Sequence, residues 1–121
     1  MKIAVIGSPE WTDYNHLMRT LTVAIQDWRY YYPDDTTLEF VHTGMSGAES
    51  MVIEYVGKVE DLAKQNGYKI TEYKFKSRDL EELVNSDITW SIIFSKDPCA
   101  RCNVFAKLSR DKDIPVSFEK G

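Results

Sequence analysis

Lys2 to Ile6 is a compact apolar run closed by Gly7-Ser8-Pro9, the pattern of a central strand buried on both faces and stopped by turn residues. From Asp13 onward, Tyr14, Leu17, Met18, Leu21, Ile25 and Trp28 recur at helical spacing, with Thr12 or Asp13 placed to cap the first turn. Leu38 to His42 supplies a second short strand. Thr43-Gly44-Met45-Ser46-Gly47 then turns into a helix whose apolar face is Ala48, Met51, Val52, Tyr55, Val56, Val59 and Leu62. Asn66-Gly67 ends that helix as a left-handed cap would, and Tyr68 to Tyr73 alternates as a third strand at an edge. Ser77 to Asn85 predicts a short helix carried by Leu80, Leu83 and Val84, and Ile88 to Phe94 a fourth, buried strand. Asp97 and Pro98 suit the cap and first position of a helix running through Val104, Phe105 and Leu108, and Ile114 to Phe118 is the last strand.

Strictly alternating strands and helices require parallel strands joined by right-handed crossovers. The expected fold is therefore α/β, a three-layer sandwich around a five-stranded, mainly parallel sheet of order 3-2-1-4-5. Ligands of such sheets lie beyond the carboxyl ends of the strands, where the winding reverses. Three loops gain importance: Gly7 to Thr12, His42 to Gly47, and Ser95 to Cys102. With 121 residues, 1–121 is read as one domain, and 43% hydrophobic content is enough for one core. Interspersed charges with a net of −4 disfavour a nucleic-acid backbone as partner. No apolar stretch has the length of a membrane helix, and Met1-Lys2 leads straight into the first strand. The expectation is a cytoplasmic protein with no membrane partner.

Gly7 lets the chain turn tightly after the central strand while Ser8 and adjacent amides face the cleft. Trp11 either packs as a lid on the core or stacks on a base. In His42-Thr43-Gly44-Met45-Ser46-Gly47-Ala48-Glu49, the glycines allow a phosphate to approach the free N–H groups of the following helix, although neither a Walker loop nor a G-x-G-x-x-G spacing is present. Ser46 and Glu49 also match a capping box, which needs no ligand. Arg101 is suited to gripping phosphate with its planar fork. Arg78 could reach the same rim, or with Asp79 form a solvated helix start. Glu10, Asp13 and Glu49 are the carboxylates placed near the cleft. Cys99 and Cys102, the two cysteines of the chain, form a C-x-x-C at a helix start, where the dipole could lower a thiol pKa; two small packing residues are the favoured reading. Two thiols build no four-thiolate zinc site, and His42 is the one histidine at this edge, so neither metal nor cofactor is expected.

The stretches Gly7-Ser8-Pro9-Glu10-Trp11, His42 to Glu49 and Arg78-Asp79 resemble, in order and spacing, the SLOG superfamily, the Rossmann-like group with DprA and the LOG phosphoribohydrolases, and particularly its YspA-like branch. That branch carries G-S-R-x-W after the first strand, H-G-G-A-x-G-A-D after the second, and an R-N pair before a helix. The resemblance spans most of the chain. It implies recognition of a nucleotide or nucleotide-derived small molecule, with Gly7, Ser8, Gly44, Ser46 and Gly47 lining a phosphate or ribose site and Trp11 and His42 flanking it. Pro9 stands in place of the arginine, Thr43 of a glycine and Glu49 of the aspartate. The late glycine-rich turn is represented by Asp97 to Asn103, without a glycine. Binding survives that loss more easily than catalysis, so a sensor or sequestering module, suited to a phage accessory protein, is the first expectation. The alternative is an enzyme acting on the N-glycosidic bond of nucleosides or nucleotides, with Glu49 or Glu10 as acid, base or nucleophile. Trp28 with Tyr30, Tyr31 and Tyr32 makes an aromatic cluster that either seals the core or joins copies in a homo-oligomer.

Overall fold

The computed structural model describes residues 1–96 and 99–120; the expected Asp97 cap and Pro98 helix start lie outside the described residues. The elements run β1 (Lys2–Gly7), α1 (Tyr14–Tyr31), β2 (Thr37–His42), α2 (Ala48–Gln65), β3 (Lys69–Lys74), α3 (Leu80–Val84), β4 (Trp90–Ser95), α4 (Ala100–Asp111) and β5 (Val116–Lys120). All strand pairs are parallel and the order is β3-β2-β1-β4-β5. This is the expected Rossmann-like α/β sandwich.

Alternation along β1 divides the interior. Ile3 and Val5 join α1 and α2 in one core, with Leu17, Leu21, Ala24, Trp28, Val52 and Val56. Ala4 and Ile6 face α3 and α4 in a second core, with Leu83, Val84, Cys102 and Phe105. A strand apolar on both faces is what a sheet covered on both sides requires. Met18, Leu62 and Val104 flank these stripes rather than lie on them, and each is exposed.

Local hydrogen bonds set the element ends. The Asp13 carboxylate accepts His16 N–H at 3.0 Å and caps α1. Gly67, at φ +83°, follows the Asn66 cap of α2. Two strands begin later than the apolar runs suggest. Asp87 takes a positive φ before β4, and Ile114 N–H closes the end of α4 on Ser109 C=O at 2.9 Å instead of joining the sheet. The segment between α1 and β2 is tied down by Asp35, which accepts from the Met1 ammonium at 3.0 Å, Thr37 N–H at 3.1 Å and Trp28 Nε1 at 3.1 Å. Trp28 is buried beneath, while Tyr30, Tyr31 and Tyr32 remain exposed. Among the described residues no helix is long and apolar enough to cross a membrane.

Candidate functional site

β1 feeds α1 on one face of the sheet and β4 feeds α4 on the other. The chain after these neighbouring strands therefore parts to opposite sides, the arrangement that in open parallel sheets sets the ligand place at the carboxyl ends. The bend after β2 reaches the same place. A Cβ on Gly7 would lie 2.4 Å from that of Ala48, and one on Gly47 would lie 2.5 Å from the Ser8 carbonyl oxygen and 2.7 Å from the Pro9 backbone. Gly47 also takes φ +82°. The two glycine-bearing bends thus meet backbone to backbone, and any side chain at these points would force them apart.

The space between them is occupied by the chain itself. The Glu49 carboxylate has no exposure. Its Oε1 accepts from Thr43 N–H at 2.7 Å and Thr43 Oγ1 at 2.8 Å. Its Oε2 accepts from Arg101 Nη1 at 2.6 Å and more distantly from Gly7 N–H at 3.4 Å. Arg101 Nη2 donates to Thr43 Oγ1, closing a ring of charge-assisted bonds over the end of β1. The buried charge is thereby paired, as burial demands. Arg101, which stands at the start of α4 with its side chain 23% exposed, grips an internal carboxylate where sequence reasoning gave it a phosphate.

The capping box is not formed, because Glu49 turns inward to this ring. Ser46 is exposed, and Gly47 stands at the N-cap of α2 with no side chain bonded to the first turn. The leading N–H groups of α2 have no helical carbonyl before them and carry the positive end of its dipole. Lys74 lies over the bend, its Nζ 3.2 Å from where a Gly44 Cβ would sit. His42, fully buried, accepts Gly44 N–H on Nδ1 at 3.0 Å and meets Glu72 through Nε2 at 2.5 Å. Since Nδ1 is an acceptor here, Nε2 carries the proton to Glu72. His42 holds the bend in shape rather than facing a ligand.

Of the remaining expected residues, Ser8 is buried in the first bend: its N–H donates to Phe94 C=O at 2.8 Å and its Oγ accepts Glu10 N–H at 3.2 Å. Trp11 is 1% exposed and packs edge-on against Phe94, so the lid reading holds and a stacking face is not presented. Glu10 is exposed. Arg78 is exposed beside Asp79, which caps α3 by accepting Glu81 N–H at 2.9 Å. Cys99 and Cys102 pack in the second core, as expected, but are joined as a disulfide and are not free thiols. Cys99 takes the helix N-cap, its sulfur accepting Cys102 N–H at 3.2 Å. The structure thus gathers Gly7, Ser8, His42, Gly44, Gly47, Glu49 and Arg101, with Ser46 exposed on the same bend, and leaves Trp11, Glu10 and Arg78 outside.

Thr43, Glu72 and Lys74 are members of this region that sequence reasoning missed. The signal for the latter two lay in strand register: His42 pairs with Lys74 and Phe40 with Glu72. Thr43 had no such signal, since its role depends on Arg101 arriving from another element. Among the described residues no three His, Cys, Asp or Glu side chains gather as a metal-ion set. Comparison with family models, with curated proteins and with solved structures finds no match, and the fold is assigned from its strand order.

Proposed function

We propose that the chain binds a small nucleotide or nucleotide-derived ligand, its phosphate resting on the first turn of α2. The observation that carries this reading is a helix start at the carboxyl edge of a parallel sheet whose cap makes no side-chain bond. Gly47 caps α2 without a side-chain bond, the Ser8–Pro9 bend presses against it, and Lys74 supplies a nearby cation. Backbone amides, a helix dipole and a lysine are the elements an anion needs. The Glu49–Arg101 pair beneath is internally neutralised, so it sets the shape of the floor without opposing the charge of the ligand.

The resemblance to the SLOG superfamily supports the same reading. Binding is preferred to N-glycosidic cleavage because both Glu49 oxygens are engaged and none is exposed to a sugar. A sensor or sequestering role suits binding without turnover, and the exposed Tyr30 to Tyr32 cluster suits a contact between copies.

A thermal-shift screen with nucleotides, cyclic nucleotides and dinucleotide signals tests the proposal. A ligand at 100 times its Kd stabilises the folded form by about 2.7 kcal/mol, a readily visible rise in Tm. Ser46→Asp places a carboxylate at the same helix start, where it favours the helix and repels phosphate; it should keep the fold and abolish the shift. No shift with any of these compounds, or a shift unaltered in Ser46→Asp, would overturn the assignment.

A further inference from the structure

The disulfide is chemistry that ligand binding leaves unused. Cys99 stands at the N-cap of α4 with its sulfur on the Cys102 N–H. A sulfur anion formed there is met by that amide and by the positive end of the helix. Cys102 has no exposure and Cys99 keeps 7%, so of the two residues Cys99 is the one that solvent touches. A stapling role is a poor fit. The disulfide encloses just Ala100 and Arg101, in a turn the helix already orders, and a loop so short restrains little of the unfolded chain. One of those two enclosed residues is Arg101, whose guanidinium holds buried Glu49 at 2.6 Å.

We propose that Cys99–Cys102 is a redox centre that exchanges two electrons with a dithiol partner, and that Arg101 carries its state to Glu49. In the reducing direction, a thiolate of the partner attacks Cys99 Sγ, and the Cys99–Cys102 bond breaks with its electron pair passing to Cys102 Sγ, which takes a proton. The second thiol of the partner, giving up its proton, then attacks the partner's own sulfur in the mixed disulfide. Cys99 leaves as a thiolate stabilised by the Cys102 N–H and is protonated in turn. The partner ends as a disulfide and the chain as a dithiol, two electrons and two protons having moved.

The test equilibrates the full chain in mixtures of reduced and oxidised dithiothreitol, quenches with acid, alkylates and weighs it, with far-UV circular dichroism recorded on each sample. The expected result is a single two-electron transition, gaining two alkyl groups, with the folded spectrum kept at both ends. A Cys99→Ser/Cys102→Ser variant should show that same spectrum. Arg101→Gln should move the midpoint ratio at least threefold, and Arg101→Lys, which keeps the charge but loses the fork, should move it less. Cysteines that alkylate fully at the oxidising end, or a disulfide that opens only as the chain unfolds, would overturn the redox centre. A midpoint unchanged in both Arg101 variants would overturn its link to Glu49. Neither result depends on whether a nucleotide binds.

Discussion

Glu49 carries a charge with no exposure to water, and its stability rests on partners drawn from three places in the chain: Gly7, Thr43 and Arg101. Glu49→Gln keeps the shape and removes the charge, leaving Arg101 without a counterion. Losing one member of a buried pair costs about 3–5 kcal/mol. Because the Arg101 side chain is partly exposed, a loss of about 2–3 kcal/mol is expected in urea unfolding. Glu49→Gln/Arg101→Gln should lose less than the two single variants added together, which identifies the pair as the source. Asp35 acts at the other end of the sheet. The hydrogen bond from the Met1 ammonium, then those from Thr37 N–H and Trp28, lower its carboxyl pKa to about 2. A folded-state value below the unfolded one contributes stability above about pH 4, and that contribution disappears as the pH falls from about 4 to 2. The slope of stability against pH across that window should flatten in Asp35→Asn.

At the scale of elements, the join between the bends after β1 and β2 depends on a missing side chain. Gly47→Ala adds a methyl group where the Ser8 carbonyl and Pro9 backbone already stand, at a φ that other residues rarely take. The conformational strain alone is about 1–3 kcal/mol, and the overlap adds to it. A Tm fall of several degrees, with loss of any nucleotide-induced shift, is expected. The elements themselves were legible because each obeys a single period: Ile3 to Ile6 is apolar throughout, while Leu17, Leu21 and Trp28 repeat at helical spacing. Alternation of strand and helix then pointed to a doubly wound sheet, of which 3-2-1-4-5 is one of the common orders. The bends after β1 and β2 were also legible as neighbours, since that order brings their strands together. The direction of Glu49 was not, because a local pattern pointed to a capping box and the winning contacts come from Arg101, fifty-two residues away. For Trp11 the lid, one of its two readings, prevailed, and His42, set beside a ligand by the family resemblance, turns instead to Gly44 and Glu72. The register of β2 on β3 offers Glu72 to His42, whereas nothing in the spacing sets the Trp11 ring against Phe94.

Across the whole molecule, β1 is the middle strand of the five and, like β2 and β4, serves both cores with a strand on each side. Its amides from Ile3 to Ile6 should exchange with deuterium most slowly, together with those of β4, whose Ile92 and Ile93 have no exposure. β5, an edge strand with no fully buried residue, should exchange faster by at least tenfold in a mass-resolved experiment. The same placement has a consequence for synthesis. β1 leaves the ribosome before the other strands, and its β4 neighbour is not made until Trp90 to Ser95 has been added, so one flank of this apolar strand waits open until then. Nascent chains arrested before Trp90 should be rapidly cleaved by a protease, whereas chains extended through α4 and clear of the exit tunnel should resist it.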